Sequence, residues 1–255
     1  MINLEKLPFK PPKDYSVNEL KERLQFLYKK GRIKIKGKKR SAAVGETIEY
    51  LLGLKKNSSK DADWGEYELK STIGLSSRKI RLFSFRWSYT EDYSARDFTL
   101  KFGKQHHSKH LNLPVVRFDK RINYSNKSVN DTYYRINRNG NILELLFEDE
   151  VIATSDLLGI ESHFQRKIRN LVLIKNRWCD KKKKDEFQVT NVKLLEIASF
   201  SKFLEKLQQN LIGLEFSLMV INPETEQERF NNRGSLFRAS YKELSELYEK
   251  VSLLI

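Results

Sequence analysis

An α+β fold, held in one domain over residues 1–255, is what three features of the sequence predict. Apolar residues recur at helical intervals near the N-terminus, at Leu20, Leu24 and Leu27. The middle of the chain breaks into short β-branched and aromatic runs separated by turn residues, and the C-terminal part returns to helical patterns around a strand. No repeat period or low-complexity linker divides the chain. Its 255 residues suffice to bury a sizeable core, with room for two lobes around a cleft.

Taken in order, residues 1–15 hold Pro8, Pro11 and Pro12 and read as an extended arm. Ser16 stands as an N-cap with Glu19 at capping-box spacing, so a helix is expected over 17–30. Gly31 to Arg40 alternates Ile33 and Ile35 with basic residues, as a solvated edge strand or a strand lying on phosphates would. From Ala42 to Leu54 the stripe Val44, Ile48, Leu51 and Leu52 predicts a second helix, with Glu49 at the margin of the buried face.

Tyr67 to Ser71 alternates as a strand that sends Glu68 and Lys70 to one face and Tyr67 and Leu69 to the other. A bend before it would bring Asp63 to the same point. Arg78 to Trp87 reads as a further strand, followed by a polar, basic segment to Pro114. Its histidines, His106, His107 and His110, lack an intervening cysteine or carboxylate, so phosphate contact is favoured over zinc. Residues 115–160 read as a β-meander with a turn at Asn139-Gly140, and Glu148, Asp149 and Glu150 at its next turn are expected in solvent.

A short helix over 162–171 and a buried strand at Leu171 to Ile174 follow. Lys181 to Lys184 falls at a hairpin tip before a strand at 187–192. A helix over 199–211, a strand over 214–221, a polar loop over 223–232 and a final amphipathic helix carrying Leu244, Leu247, Tyr248 and Val251 complete the reading.

The charge balance narrows the partner. Lys and Arg number 48 against 33 Asp and Glu, a formal charge of +15. Such an excess favours a polyanion, since each phosphate neutralised releases counterions; nucleic acid leads and an anionic membrane surface comes second. One cysteine, Cys179, excludes an intramolecular disulfide and a multi-cysteine zinc site. No apolar run reaches the ~20 residues of a membrane span and no signal peptide opens the chain, so a cytoplasmic protein is expected.

Asp63 and Glu68 form a hard oxygen set suited to Mg2+, and Lys70 beside them can stabilise a hydroxide or a developing phosphorane. Together these are a minimal apparatus for phosphodiester hydrolysis. The block Val44 to Leu52 with Glu49, Asp63 fourteen residues on, and Glu68-Leu69-Lys70 resemble the catalytic core of the MvaI/BcnI restriction endonucleases. That family is related to the mismatch-repair nickase MutH within the PD-(D/E)xK superfamily. Arg233-Gly234-Ser235-Leu236-Phe237-Arg238, expected to run into a helix, resembles the corresponding end of MvaI.

The resemblance implies a mixed central sheet flanked by helices, with a catalytic core over about 17–120 and a DNA-recognition part over about 121–255. It implies Asp63 and Glu68 as Mg2+ ligands, with the Leu69 carbonyl as a further possible one. Lys70 would then lie near the attacking water, and Glu49 would complete the acidic site. MutH spacing would select Asp61; MvaI spacing, which also keeps the offset from Glu49, selects Asp63. Lys38, Lys39, Arg40, Arg86, Lys104, His106, His107, His110, Arg233 and Arg238 become candidate DNA contacts, Arg being the usual reader of guanine. For Arg238 an ion pair is an equal alternative.

The implied function is a Mg2+-dependent type II restriction endonuclease acting on double-stranded DNA. It would work as a monomer in the prokaryotic cytoplasm, with a cognate DNA methyltransferase as its functional counterpart. A strand-specific nickase and a noncatalytic nucleic-acid-binding protein are the alternatives.

Overall fold

The computed structural model describes residues 8–37, 42–54, 62–74, 79–108, 111–118, 121–124, 132–137 and 139–255, the side chain of Arg233 apart. In chain order the elements begin with α1 (Val17–Lys30), β1 (Ile33–Lys34), α2 (Ala43–Leu51), β2 (Tyr67–Ile73), β3 (Ile80–Phe85) and β4 (Ser88–Tyr89). Then come α3 (Ala95–Phe102), β5 (Lys104–Ser108), β6 (Leu113–Phe118), β7 (Arg121–Ile122), β8 (Thr132–Asn137), β9 (Ile142–Phe147) and β10 (Glu150–Asp156). The chain continues through α4 (Leu157–Ile168), β11 (Asn170–Trp178), β12 (Glu186–Ala198), α5 (Phe200–Gln208), β13 (Gly213–Ile221), β14 (Arg229–Ala239), α6 (Tyr241–Ser245) and β15 (Tyr248–Leu253). The class is α+β, as expected.

The chain folds as two compact units, each assembled from separated segments: 1–80 with 165–199 and 244–255, and 81–164 with 200–243. In the first unit, Ser16 accepts from the amide of Glu19 at 3.2 Å and starts α1 where the capping signal placed it. The second half of the capping box does not form. Glu19 turns instead to the buried Arg23, whose guanidinium also donates to the carbonyls of Lys10, at 2.8 Å, and Leu52. One charged side chain thus ties the N-terminal arm, α1 and the end of α2 together.

The sheet of this unit runs β1-β12-β11-β2, with β15 also on β12. It is mixed, because β2 pairs with β11 in parallel while β11 and β12 are antiparallel. Leu171 to Ile174 have no exposed surface, as a central strand covered on both faces requires. Leu20, Leu24 and Leu27 of α1 and Val44 and Ile48 of α2 share one core with Trp64, Leu69, Val172, Ile174 and Phe187. The basic strand at Ile33 is an edge, as read from the sequence.

The second unit carries two further sheets, β4-β10-β9-β8 and β3-β14-β13-β6-β5, with β7 on β13. An aromatic core fills it: Phe85 stacks on Phe237 at 4.7 Å, and Phe83 and Phe203 crowd the same ring. Glu148 and Asp149 form the exposed β9–β10 turn, both at positive φ, as two-residue hairpin turns demand.

Several expectations change: strand β14 takes the last four residues of the polar loop expected over 223–232, and the helix expected over 162–171 is α4, which starts at Leu157 and ends at Ile168 because β11 takes over from Asn170. The polar segment after Trp87 contains a helix, α3, closed by a Ser94–Asp97 capping box. The Arg233-to-Arg238 segment lies within strand β14 and leads through Ser240 into the short helix α6. The final helix is the single turn α6, after which Tyr248 to Leu253 pairs with β12. Its buried end, Leu244, Leu247 and Tyr248, produced the helical periodicity, whereas Val251 is 48% exposed.

Candidate active site

The site lies in the first unit, and its local geometry starts from Trp64. This ring is fully buried, donates its indole N–H to the carbonyl of Ser16 at 3.0 Å, and takes the edge of Tyr15 at 5.5 Å. Trp64 and Tyr67 exchange backbone hydrogen bonds of 2.9 and 2.8 Å across the two-residue turn Gly65-Glu66, with Gly65 at φ 56°. Closing that turn makes Asp63 and Glu68 the next pair outward. The four-residue spacing between the two carboxylates is therefore the spacing a tight turn imposes, and the bend expected before β2 is this turn.

Within the group, Asp63 Oδ2 accepts from the amide of Leu69 at 3.0 Å, which fixes the carboxylate against β2. Lys70 Nζ donates to Glu68 Oε1 at 2.5 Å. Glu68 is 5% exposed, so the strand directs a nearly buried carboxylate and an ammonium to one place, as its alternation predicts. Lys167, from the last turn of α4, reaches Glu68 Oε2 at 3.4 Å. Sequence reading missed this second lysine. Only the parallel register of β11 with β2, Asn170 facing Tyr67, brings the end of α4 alongside Glu68.

Two buried asparagines hold that register. Asn170 donates to Glu66 Oε2 at 3.2 Å and accepts from the amide of Ile197 at 3.1 Å. Asn176 donates to Ser71 Oγ and to the carbonyl of Thr72, both at 2.9 Å. Tyr67, at the start of β2, donates to Glu196 at 3.0 Å, and burial with that bond pushes its hydroxyl up to about 12.

Electrostatics single out the acidic members. Burial, and then the charge of Asp63, push Glu49 on α2 up to about 7, with Lys70 opposing. Burial, and then the charge of Glu68, raise Asp63, opposed by the Leu69 amide, Lys70 and Lys167. Carboxylates that burial and mutual repulsion penalise in this way are a donor set that a divalent cation would relieve. Among the described residues no three of His, Cys, Asp and Glu converge as a closed cage. Mg2+ fits such an open donor pair, because it keeps several waters and commonly takes one or two carboxylates together with substrate phosphate.

The sequence matches the model of the MvaI/BcnI restriction endonuclease family over residues 21–248. The chain belongs to this family. It is accordingly an enzyme, a type II restriction endonuclease. Among solved structures it is similar to a complex of restriction endonuclease MvaI with cognate DNA substrate, at a TM-score of 0.74 and 16% identity over 96% of this chain and 100% of that one. MvaI without DNA is also similar, at a TM-score of 0.52 and 14% identity over 97% and 100%. No curated protein matches the chain in sequence.

As a member of the MvaI/BcnI family, the chain carries its expected DNA contacts in several settings. Arg86 is exposed directly after β3, and Lys104, His106 and His107 are exposed along β5. Arg238 Nε lies 2.8 Å from Glu215 Oε2, an ion pair across the β13–β14 hairpin rather than one at the start of the last helix. Arg233 and Gly234 together oppose Ser217, a bulge between the Phe216–Ser235 and Leu218–Asn232 pairs. Gly234 has φ 75°, and a Cβ there would meet the carbonyl of Phe85 at 2.7 Å. Lys38, Lys39, Arg40, His110 and Asp61 lie outside the described residues. No described helix is long and apolar enough to cross a membrane.

Proposed function

We propose that this endonuclease hydrolyses phosphodiester bonds of duplex DNA at a short specific sequence with Mg2+ as cofactor, through Asp63, Glu68, Lys70 and Glu49. The observation that carries the reading is the convergence of Asp63, Glu68 and Lys70 around the Trp64–Tyr67 turn. Asp63 and Glu68 would hold the Mg2+, with the Leu69 carbonyl as a further donor. Bound there, the metal would supply Lewis-acid stabilisation of the phosphoryl oxygens and lower the pKa of water.

The chain's own groups divide the remaining work. The Leu69 amide and the turn orient the Asp63 carboxylate. Lys70 and Lys167 contact the two oxygens of Glu68 and so place positive charge beside the carboxylate, where it would offset negative charge that grows on the phosphoryl oxygens during attack on phosphorus. Glu49, poised near neutrality by burial, can hold or release a proton at the edge of the group. Arg86, Lys104, His106 and His107 would contact DNA, and Lys38, Lys39, Arg40, His110, Arg233 and Arg238 are further candidates. The enzyme would act as a monomer, alongside a methyltransferase that shields host DNA.

The test is incubation of purified protein with supercoiled and linear DNAs of known sequence, with Mg2+ or with EDTA. Discrete Mg2+-dependent fragments support the proposal. Open circles alone would replace it with a nickase, and intact but retarded DNA would reduce the cluster to a structural ion pair.

A further inference from the structure

The last turn of α2 carries Glu49 and brings no cap of its own. The side chain of its N-cap, Ala42, bonds nothing, and no basic residue lies in its last turn. Carbonyls left open at a helix C-terminus need donors from elsewhere. Here the N-terminal arm and α1 supply them: the Phe9 amide donates to the Leu51 carbonyl at 3.0 Å, and the Arg23 guanidinium donates to the Leu52 carbonyl. Arm and helix meet so closely that a Cβ on Gly53 would lie 2.5 Å from the Lys10 carbonyl.

Arg23 also faces the other half of the acidic group. It is 4% exposed, and its guanidinium carbon lies 5.3 Å from the centre of the Trp64 ring and 5.0 Å from that of Phe9. Asp63 directly precedes Trp64, and it stands near enough to Glu49 for its charge to oppose ionisation of that carboxyl. One buried cation thus sits between the helix end behind Glu49 and the ring behind Asp63. Stability alone is a poor account of it. Arg23 Nε and Glu19 Oε2 are buried and take no hydrogen bond among the described residues, and a buried ion pair is often no more stabilising than apolar side chains of similar volume.

We propose that Arg23 is a positioning residue of the active site. It holds the end of α2 against the Trp64 turn, and so sets the distance at which Glu49 and Asp63 meet a divalent cation. The inference rests on the reading of Asp63, Glu68 and Glu49 as the acidic site and adds a residue that acts only through others. A guanidinium suits the task because its planar fork reaches separate carbonyls while its faces lie on aromatic rings, which the point charge of an ammonium does less well.

The experiment compares the unaltered protein with R23M, R23K, D63N and a control, F203L, whose altered side chain packs in the aromatic core of the second unit. Chemical denaturation gives the fraction folded, and gel shifts in Ca2+ give DNA affinity. Cleavage rates at saturating DNA are then measured against Mg2+ concentration, at a temperature where each variant is folded. R23M is expected to cut about tenfold or more slowly and to need more Mg2+ for half its maximal rate, with little change in affinity. R23K, which restores the charge without the fork, should lie between R23M and the unaltered protein. F203L should lose stability and keep both the rate and the Mg2+ requirement. An unaltered rate and Mg2+ requirement in folded R23M overturns the proposal, as does the same change in F203L. If R23M does not fold, R23K decides by the same two readouts. Normal cleavage by D63N would remove the acidic-site reading itself, whereas normal cleavage by R23M beside an inactive D63N removes only the role of Arg23.

Discussion

Lys70 Nζ lies 2.5 Å from Glu68 Oε1, two residues along one strand, with the carboxylate nearly buried and the ammonium only partly exposed. An ion pair built only for stability would more commonly be exposed and contribute about 0–1 kcal/mol. Here burial of Glu68 makes its partners necessary, and under the proposed function Lys70 is the cation that phosphoryl chemistry would use. Lys70→Ala is expected to lower cleavage by about a hundredfold or more while DNA affinity changes little. Parallel gel-shift and cleavage assays check this. A variant that cuts normally would show that the pair is structural.

Lys167 makes the second contact to Glu68, at 3.4 Å, from the end of α4. The adjacent carbonyl of Ile168 accepts from Tyr248 at 2.7 Å, so a buried phenol on β15 fixes the helix end that carries this lysine. Lys167→Met should reduce kcat by about tenfold or more, with KM nearly unchanged. Tyr248→Phe should show a smaller kcat loss and a stability loss of about 1–3 kcal/mol, from leaving the buried carbonyl unpaired. Steady-state kinetics beside thermal melts separate the two effects.

The pH dependence of stability follows from Glu49. Its folded value, about 7, lies above its ordinary 4.5, so the folded state binds the extra proton between those limits. The unfolded chain loses its proton first. Stability from this group is therefore lost as pH rises from about 4.5 through about 7. The full shift corresponds to about 3 kcal/mol, and partial solvent access reduces the expected share to about 1–2 kcal/mol. Glu49→Gln should melt at a higher temperature than the unaltered protein at pH 8 and at nearly the same temperature at pH 4. Equal melting at pH 8 would remove the electrostatic account.

Metal dependence is the next expectation. Burial, and then repulsion from Glu68, raise Asp63, so a cation binding between the two carboxylates should stabilise the fold and release protons. Mg2+ is expected to raise the melting temperature and support cleavage. Ca2+, larger and looser in its coordination, should support DNA binding without cleavage. Asp63→Asn should lose the Mg2+ response in calorimetry. Cleavage with Ca2+ as fast as with Mg2+ would contradict the two-carboxylate site.

Much of the first unit was legible in the sequence because local rules fix it. Ser16 starts α1, the alternation of Tyr67 to Ser71 makes β2, and the four-residue spacing of Asp63 and Glu68 is set by a turn. Lys167 was not legible, since its place depends on a pairing between strands about a hundred residues apart. The helix read after Leu244 failed for a related reason. Leu244, Leu247 and Tyr248 are spaced as on a helix, but the open edge of β12 recruits the following residues as a strand. Helix α3 was hidden by its polarity, although Ser94 and Asp97 carried a capping signal.

Trp64 links the fold to the chemistry, and replacing it tests both. The ring has no exposed surface, its N–H satisfies the carbonyl of Ser16, and the Arg23 guanidinium lies 5.3 Å from its centre. Trp64→Ala should therefore cost about 3–5 kcal/mol, the range for truncating a buried aromatic ring. Trp64→Phe keeps most of the packing and loses the N–H, so about 1–3 kcal/mol is expected. The backbone bonds between residues 64 and 67 also define where Asp63 stands relative to Glu68. Loosening the anchor should then lower kcat even at temperatures where the variant is fully folded, and more for Ala than for Phe. Chemical denaturation gives the stability term, and cleavage rates at low temperature give the other. If Trp64→Ala is unstable but cuts at the unaltered rate when folded, the turn is not what aligns the two carboxylates.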